Sequence, residues 1–348
     1  MKVIYTDSEK REKIELDVKD KKILSLLCHN ARTPLSEIAR VSGLSRQTIE
    51  YRIRQMEKNE LIAGSRTVVQ VTKLGYSSYH FFLSIGSQDS EKKLLAKCMS
   101  SPHVHVYISY SGVYDVELGL MAKTPQAAQE IFSNLVEGLE ITNHSIGILT
   151  NNLINRVLPG FEIPLKEQVH KNDSSFGKQL NGQREPAKIE ERMDSIDYNL
   201  LQLIADNAQS SLQTIAAQLG NSPDAVKYRI RKLISRGIIQ NFRPVINFSR
   251  LHLTTRTLLV KWNRKSVEDI KKFRQYLESF GDVLWCVEVL GEWDFLIYLV
   301  TEEQNMLHDL ISGMKKVFER NLHSFQILHA NNEYKYSYLA KAICSYLD

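Results

Sequence analysis

Near the start of the chain apolar residues recur at helical spacing in three consecutive segments, and soon afterwards they alternate as in strands. Ile23, Leu24 and Leu27 form the first stripe, with Asp17 at the N-cap position and Asp20 in the first turn, where carboxylates favour the positive end of a helix. LSEIARVS predicts a short second helix with Ile38 and Ala39 inward, ended by Gly43. Ser45 caps a third, RQTIEYRIRQMEK, whose core positions are Ile49, Ile53 and Met56. Three helices with a tight glycine turn before the last follow the helix-turn-helix plan. Leu61-Ile62 and the alternating run Thr67-Val68-Val69-Gln70-Val71 predict a two-stranded wing behind it.

The next segment changes period repeatedly. Residues 78 to 86 read as a strand, 89 to 99 as a helix, 103 to 110 and 114 to 122 as strands, 125 to 138 as a helix and 141 to 151 as a strand. The order βαββαβ predicts a ferredoxin-like α/β sandwich, its sheet covered by helices on one face. Phe81, Leu83 and Ile85 are expected on the face left free, which would be buried by pairing with a second sheet.

That second sheet lies in the same chain, because the whole pattern occurs twice. The segment from Asp20 aligns without a gap with the segment from Asp197, 177 positions later, and about 15 of roughly 45 positions are identical. Both copies contain Tyr-Arg-Ile-Arg, at Tyr51–Arg54 and Tyr228–Arg231. Further on, Gly112 and Asp115 correspond to Gly291 and Asp294, an offset of 179, so two residues of loop length separate the registers. The second copy supplies Leu200, Leu201 and Ile204 for its first helix, Leu258 and Val260 for its free sheet face, and a last strand around Phe325 to His329. The fold class is α+β, two winged helix-turn-helix domains alternating with two ferredoxin-like domains. The expected boundaries are 16–72, 75–155, 194–250 and 254–335. Residues 158–193, polar and holding Pro159, Pro164 and Pro186, are expected to form a linker.

Composition narrows the partners. Hydrophobic and charged shares of 43% and 24% describe a folded chain, and a net charge of +5 is compatible with a polyanion. Neither the polar N-terminus nor any apolar run suggests a signal peptide or membrane span, so a cytoplasmic protein without a membrane partner is expected. Cys28, Cys98, Cys286 and Cys344 are too scattered for a zinc site or a disulfide framework.

With its apolar stripe committed to the core, the third helix must present Arg46, Gln47, Thr48, Tyr51, Arg52, Arg54 and Gln55 on its flanks and outer face, after Ser45. Arg and Gln near a helix start form bidentate hydrogen bonds with guanine and adenine edges, while the remaining cations and Tyr51 suit phosphates. Double-stranded DNA is therefore the expected partner. The ordinary alternative is a solvated face with pairs such as Glu50 and Arg54. Retention of the arginines in the second copy argues against it. There Ser222, Lys227, Tyr228, Arg229, Arg231 and Lys232 are the counterparts, but Pro223-Asp224-Ala225 replaces Arg46-Gln47-Thr48. Copy one is expected to read bases and copy two to hold the backbone.

The chain resembles the Lrp/AsnC family of prokaryotic transcription regulators, on the residues LD-x2-D-x2-IL, NAR, EIA, GLS and YRIR, followed by the G-x-x-D turn. The resemblance spans nearly the whole chain apart from the N-terminal dozen residues, the linker and the tail. It implies a winged helix for operator DNA and a ferredoxin-like RAM domain for dimerisation and, in many members, amino-acid effectors. Gly112, Asp115, Gly291 and Asp294 would then border an effector site. As turn residues the same aspartates would simply bond nearby backbone.

Ordinary members are single units that dimerise. The tandem form is similar to archaeal versions in which one chain forms a pseudo-dimer, with a homodimer of such chains left open. No cofactor and no enzymatic activity are expected. The competing readings are a sirohaem decarboxylase-like enzyme, since such enzymes look like the same two-part unit, and an architectural DNA binder. Against the enzyme, the arginine-rich stretch expected after the third helix is reduced to a lone Arg66 and a lone Arg243, and the His103/His105 pair has no further ligands.

Overall fold

The computed structural model describes residues 4–5, 12–159, 193–302 and 304–344. The chain begins with a two-residue strand β1 (Ile4–Tyr5), then α1 (Val18–His29), α2 (Leu35–Ser42), α3 (Arg46–Lys58) and β2 (Ile62–Val69). The first sandwich unit comprises β3 (Ser77–Ile85), α4 (Gln88–Ser100), β4 (Val104–Ser111), β5 (Val116–Ala122), α5 (Pro125–Val136) and β6 (Ile141–Asn155). The second copy repeats this as α6 (Ser195–Ala205), α7 (Leu212–Leu219), α8 (Pro223–Ser235), β7 (Ile239–Ile246), β8 (Thr254–Trp262), α9 (Val267–Glu278), β9 (Val283–Gly291), β10 (Phe295–Thr301), α10 (Gln304–Val317) and β11 (Leu322–Tyr336). The two extra residues fall between β8 and α9. One of them, Lys265, reaches Asp294 at 2.8 Å.

Each helical triplet forms as its sequence dictates. Asp17 and Asp20 make a reciprocal capping box at α1, and Ser45 accepts from the Thr48 backbone N–H at the start of α3. Gly43 and Gly220, at φ 71° and 62°, take the left-handed turn between the second and third helices. Ile23, Leu24, Ile38 and Ile49 are completely buried in the first triplet, as are Leu200, Leu201, Ile204 and Ile215 in the second.

The first arginine of each YRIR locks its helix to the start of the triplet. Arg52 Nη1 donates to Asp20 at 2.6 Å and to Asp17 at 2.8 Å. Arg229 Nη1 does the same to Asp197 and Asp194, at 2.7 and 2.8 Å. Both arginines therefore brace α3 and α8 against the capped ends of α1 and α6. Nη1 of each is thereby engaged, a structural role that the phosphate expectation for Arg52 and Arg229 did not include.

The wing takes a different form from the one predicted. Residues 62 to 69 run as one continuous strand, and β2 pairs antiparallel with β7 of the other copy, with Arg66 directly opposite Arg243. The two copies thus share one ribbon, and each triplet's core is finished from across it. Ile246, Leu251 and Leu158 pack into the first triplet, and Val69 and Tyr76 into the second. Leu158, expected in the linker, is completely buried there, while the rest of that segment from 160 to 192 lies outside the described residues.

The sandwich units merge as well. Within the first, the strand order is β6-β3-β5-β4, all antiparallel, as a ferredoxin-like unit requires. The last strand of each unit is 15 residues long, well beyond the predicted length. The first part of β6 pairs with β3 and its remainder with β9. Likewise β11 pairs first with β8 and then with β4, while β1 takes the edge that β8 leaves. The pairing closes into a ring, β8-β10-β9-β6-β3-β5-β4-β11, that leaves no open edge among these strands.

The two faces of each sheet are exchanged relative to the expectation. Phe81 and Leu83 pack with Leu94 and Phe132 of the helices, Phe81 stacking on Phe132 at 4.1 Å, and Leu258 and Val260 pack with Phe273 and Met314. Phe82, Val106 and Ile108 instead meet Leu259, Val289 and Leu296 inside the ring. Strand alternation separates two faces, but when both are apolar it does not say which one the helices cover.

Two measurements test these braces. Arg52→Ala is expected to cost about 1.5–3 kcal/mol at neutral pH, as loss of charge-assisted hydrogen bonds does. Asp17 is held below the ordinary carboxylate range by the Asp20 backbone N–H and then by Arg52. Stability from such a depressed group is present above the unfolded value near 3.9 and fades as pH falls through the folded one, so urea melts should show the wild-type advantage shrinking below about pH 4. At the β6–β9 seam, a Cβ on Gly291 would stand 2.2 Å from the Ile146 carbonyl oxygen. Gly291→Ala should therefore lower stability by about 1–3 kcal/mol in the same melts, through forced backbone displacement.

Candidate nucleic-acid interface

The outer faces of α3 and α8 carry what remains available to a duplex. Ser45 and Ser222 act first as caps, and the Thr48 hydroxyl lies 2.8 Å from that of Ser45, so this part of the predicted set is engaged in ending the turn. Arg46 and Gln47 are exposed in the first turn of α3 and bond to no described residue. Tyr51 and Tyr228 are 62% and 67% exposed, unusual for so large a side chain, and they occupy the same outer position in both copies. Gln55 is half-buried at the far end.

The second arginines diverge. Arg54 Nη2 donates to Glu50 at 2.6 Å, the i,i+4 pair that the ordinary reading anticipated, although its side chain remains 71% exposed. Arg231 has Lys227 in the corresponding position. Both are exposed and make no ion pair among the described residues, so α8 carries the less neutralised cations. Lys232 is half-buried and already has a partner. Pro223 and Asp224 stand where α3 has Arg46 and Gln47, with Asp224 in the first turn at the positive end of the helix.

The G-x-x-D residues have a structural account. Asp115 Oδ2 accepts from the Ile85 backbone N–H at 2.7 Å, and Asp294 Oδ2 from that of Trp262 at 2.8 Å, so each ties a hairpin to the end of the neighbouring strand. Gly112 lies against Leu328, where a Cβ would approach to 2.9 Å, and Gly291 pairs with Gly147 across the β6–β9 seam. The two aspartates thus brace strands within their own copies, and the two glycines allow close packing between the copies.

The sequence reading missed a buried polar network inside the ring. Glu117, fully buried, accepts from Tyr110 Oη at 2.6 Å and Tyr298 Oη at 2.5 Å, and its carboxylate meets His80 Nδ1 at 2.5 Å. Burial and then the Glu117 charge push both phenols well above their ordinary value, so they stay protonated donors. His105, buried and next to His80, is pushed down to about 3 and is neutral. Its Nδ1 faces the Ser337 carbonyl at 2.9 Å, which fixes that nitrogen as the donor and leaves Nε2 to accept from Ser78. The available signal was Glu117 itself, a lone charge within the apolar strand Val-Glu-Leu-Gly-Leu-Met-Ala.

Comparison with known proteins agrees with this arrangement. Residues 16–57 match the AsnC-type helix-turn-helix domain, and residues 193–240 match a winged helix-turn-helix DNA-binding model. An uncharacterised HTH-type transcriptional regulator of Pyrococcus horikoshii is 31% identical over 108 residues, covering 31% of this chain and 72% of that protein. The regulatory protein AsnC of Escherichia coli K12 is 30% identical over 145 residues, covering 41% of this chain and 95% of its own length. Among solved structures, the sirohaem decarboxylase NirDL overlays 91% of this chain and 92% of its own with a TM-score of 0.59 at 12% identity, a likeness of fold alone. No helix of the described residues is long and apolar enough to cross a membrane. Two DNA-binding helix-turn-helix units in series, each followed by a ferredoxin-like domain, and relatives that are single units of the same kind show that this chain belongs to the Lrp/AsnC family of DNA-binding transcription regulators, in tandem form.

Proposed function

We propose that the chain binds its operator as an intramolecular pseudo-dimer with unequal heads, the first specifying sequence and the second holding the duplex. The observation that carries this reading is the contrast in the first helical turn. Arg46 and Gln47 project from α3 without partners among the described residues, whereas α8 offers Pro223 and Asp224 there. Bidentate contacts to base edges need the former pair of side chains, and an aspartate repels phosphate as well. The exposed Lys227 and Arg231 of α8 suit backbone contacts, which give affinity without sequence information. Tyr51 and Tyr228, exposed on either head, would donate to phosphates.

The reading favours a sequence reader over an architectural binder because Arg46 and Gln47 bond to no described residue, and a regulator over a tetrapyrrole enzyme because the relatives of 30% identity and more are regulators, whereas the likeness to the sirohaem decarboxylase is one of fold alone.

Selection of bound duplexes from a random pool, followed by titration at several salt concentrations, tests the division of labour. Arg46→Ala or Gln47→Ala should relax base preference, with roughly 1–3 kcal/mol of discrimination lost at one position. Lys227→Ala and Arg231→Ala should weaken all duplexes alike and lower the salt slope by about one each. Equal loss of specificity from changes on either head would contradict the unequal assignment.

A further inference from the structure

One cavity, of about 170 Å³, lies between the β2/β7 ribbon and the ring, and its charges do not balance. Its lining brings three guanidinium groups, Arg66, Arg156 and Arg243, against a single carboxylate, Glu333. Glu333 is taken by Arg66 at 2.8 Å, and Arg156 donates to the backbone carbonyls of Phe280 and Glu278 at 2.7 and 2.8 Å. Arg243 is left. It is 8% exposed, and among the described residues it bonds only to the neutral Asn155, with 2.6 Å to the side-chain oxygen and 3.5 Å to the carbonyl, while its Nε has no hydrogen-bond partner there. No described carboxylate forms an ion pair with it.

The imbalance arises from divergence of the two copies. Arg66 and Arg243 are the same position in each copy, and the ribbon sets them face to face. Like charges directly opposite each other repel, and a buried guanidinium without a counter-charge is costly. One member of the pair has its own carboxylate and the other has an amide, so a single anion from outside would complete the set. The rest of the wall combines apolar and aromatic side chains, Phe248, Leu284, Trp285 and Tyr298 among them, with neutral polar ones such as Asn247 and Thr257.

We propose that this cavity binds a small organic monocarboxylate with an aromatic or branched apolar body, its carboxylate seated on the Arg243 guanidinium. The volume suits a body near the size of benzene, which fills a cavity of about 150 Å³. An α-amino acid would bring an ammonium group for which the only lining carboxylate is already engaged, so aryl acids and 2-oxo acids fit better than their amino counterparts. The site goes beyond the DNA-binding reading and does not depend on it.

Thermal melts and titration calorimetry of the full chain without DNA test the proposal, with benzoate and phenylpyruvate as probes and benzamide and phenylalanine as controls. Both acids should raise the melting temperature and bind one per chain, and both controls should bind at least about tenfold more weakly, the cost of losing a charge-assisted pair. Asn155→Asp supplies Arg243 with an internal carboxylate of the same size. It should raise the melting temperature without ligand and weaken benzoate about tenfold or more, and Arg243→Gln should weaken benzoate similarly. Asn155→Asp decides the matter if Arg243→Gln fails to fold. Absence of any shift with about 10 mM benzoate or phenylpyruvate, equal binding of benzamide, or undiminished binding by Asn155→Asp overturns the assignment.

Discussion

Strand pairing between the two copies is the constraint on which the rest of this structure depends. Neither copy finishes its own sheet or its own helical core. The ribbon of β2 and β7 replaces a wing in each unit, and the overlong β6 and β11 leave their own sheets to pair with β9 and β4. A closed ring satisfies backbone groups that two open sheets would leave at four edges. It also fixes the positions of the helical heads, because residues such as Ile246 and Tyr76 belong to one copy by sequence and to the other's core by packing.

Joining both copies in one chain lets each drift while the shared framework persists. The framework positions stay matched: the capping aspartates, the first arginine of each YRIR and the glycines at the turns. Away from them the halves part company. The first recognition helix keeps Arg46 and Gln47 where the second has Pro223 and Asp224. Inside the ring, Glu117 and His80 of one copy face Leu296 and Thr257 at the matching places of the other, and Tyr298 reaches across to complete the network. On the ribbon Arg66 has a carboxylate and Arg243 has an amide. A pair of separate identical chains could not hold these differences, since each change would appear on both sides of the axis.

Much of the architecture was legible because it depends on local periodicity. The bounds of α2 and α3 match the LSEIARVS and RQTIEYRIRQMEK stripes, and the βαββαβ order follows from alternation and turn residues. The candidate site was legible only in part. Exposure of Arg46, Gln47, Lys227 and Arg231 follows from helical spacing, but Arg52 and Arg229 were assigned to phosphates because a spacing argument places them on a flank without naming what faces it. Their repetition in both copies, taken as a sign of DNA contact, has a structural counterpart in the capping aspartates they hold.

The sequence by itself determined the duplication, the helical heads and the ferredoxin-like units, since those depend on neighbours a few residues apart along the chain. Only the tertiary structure decided which face of each sheet the helices cover, where the last strands end and what the arginines meet. Those outcomes depend on contacts between residues far apart in the chain, such as Arg66 with Glu333 and Arg243 with Asn155. The polar tail of β11, Asn-Asn-Glu-Tyr-Lys-Tyr, shows the reason most plainly. Its residues carry little strand signal of their own, and they become a strand because β4 of the other copy offers an unpaired edge.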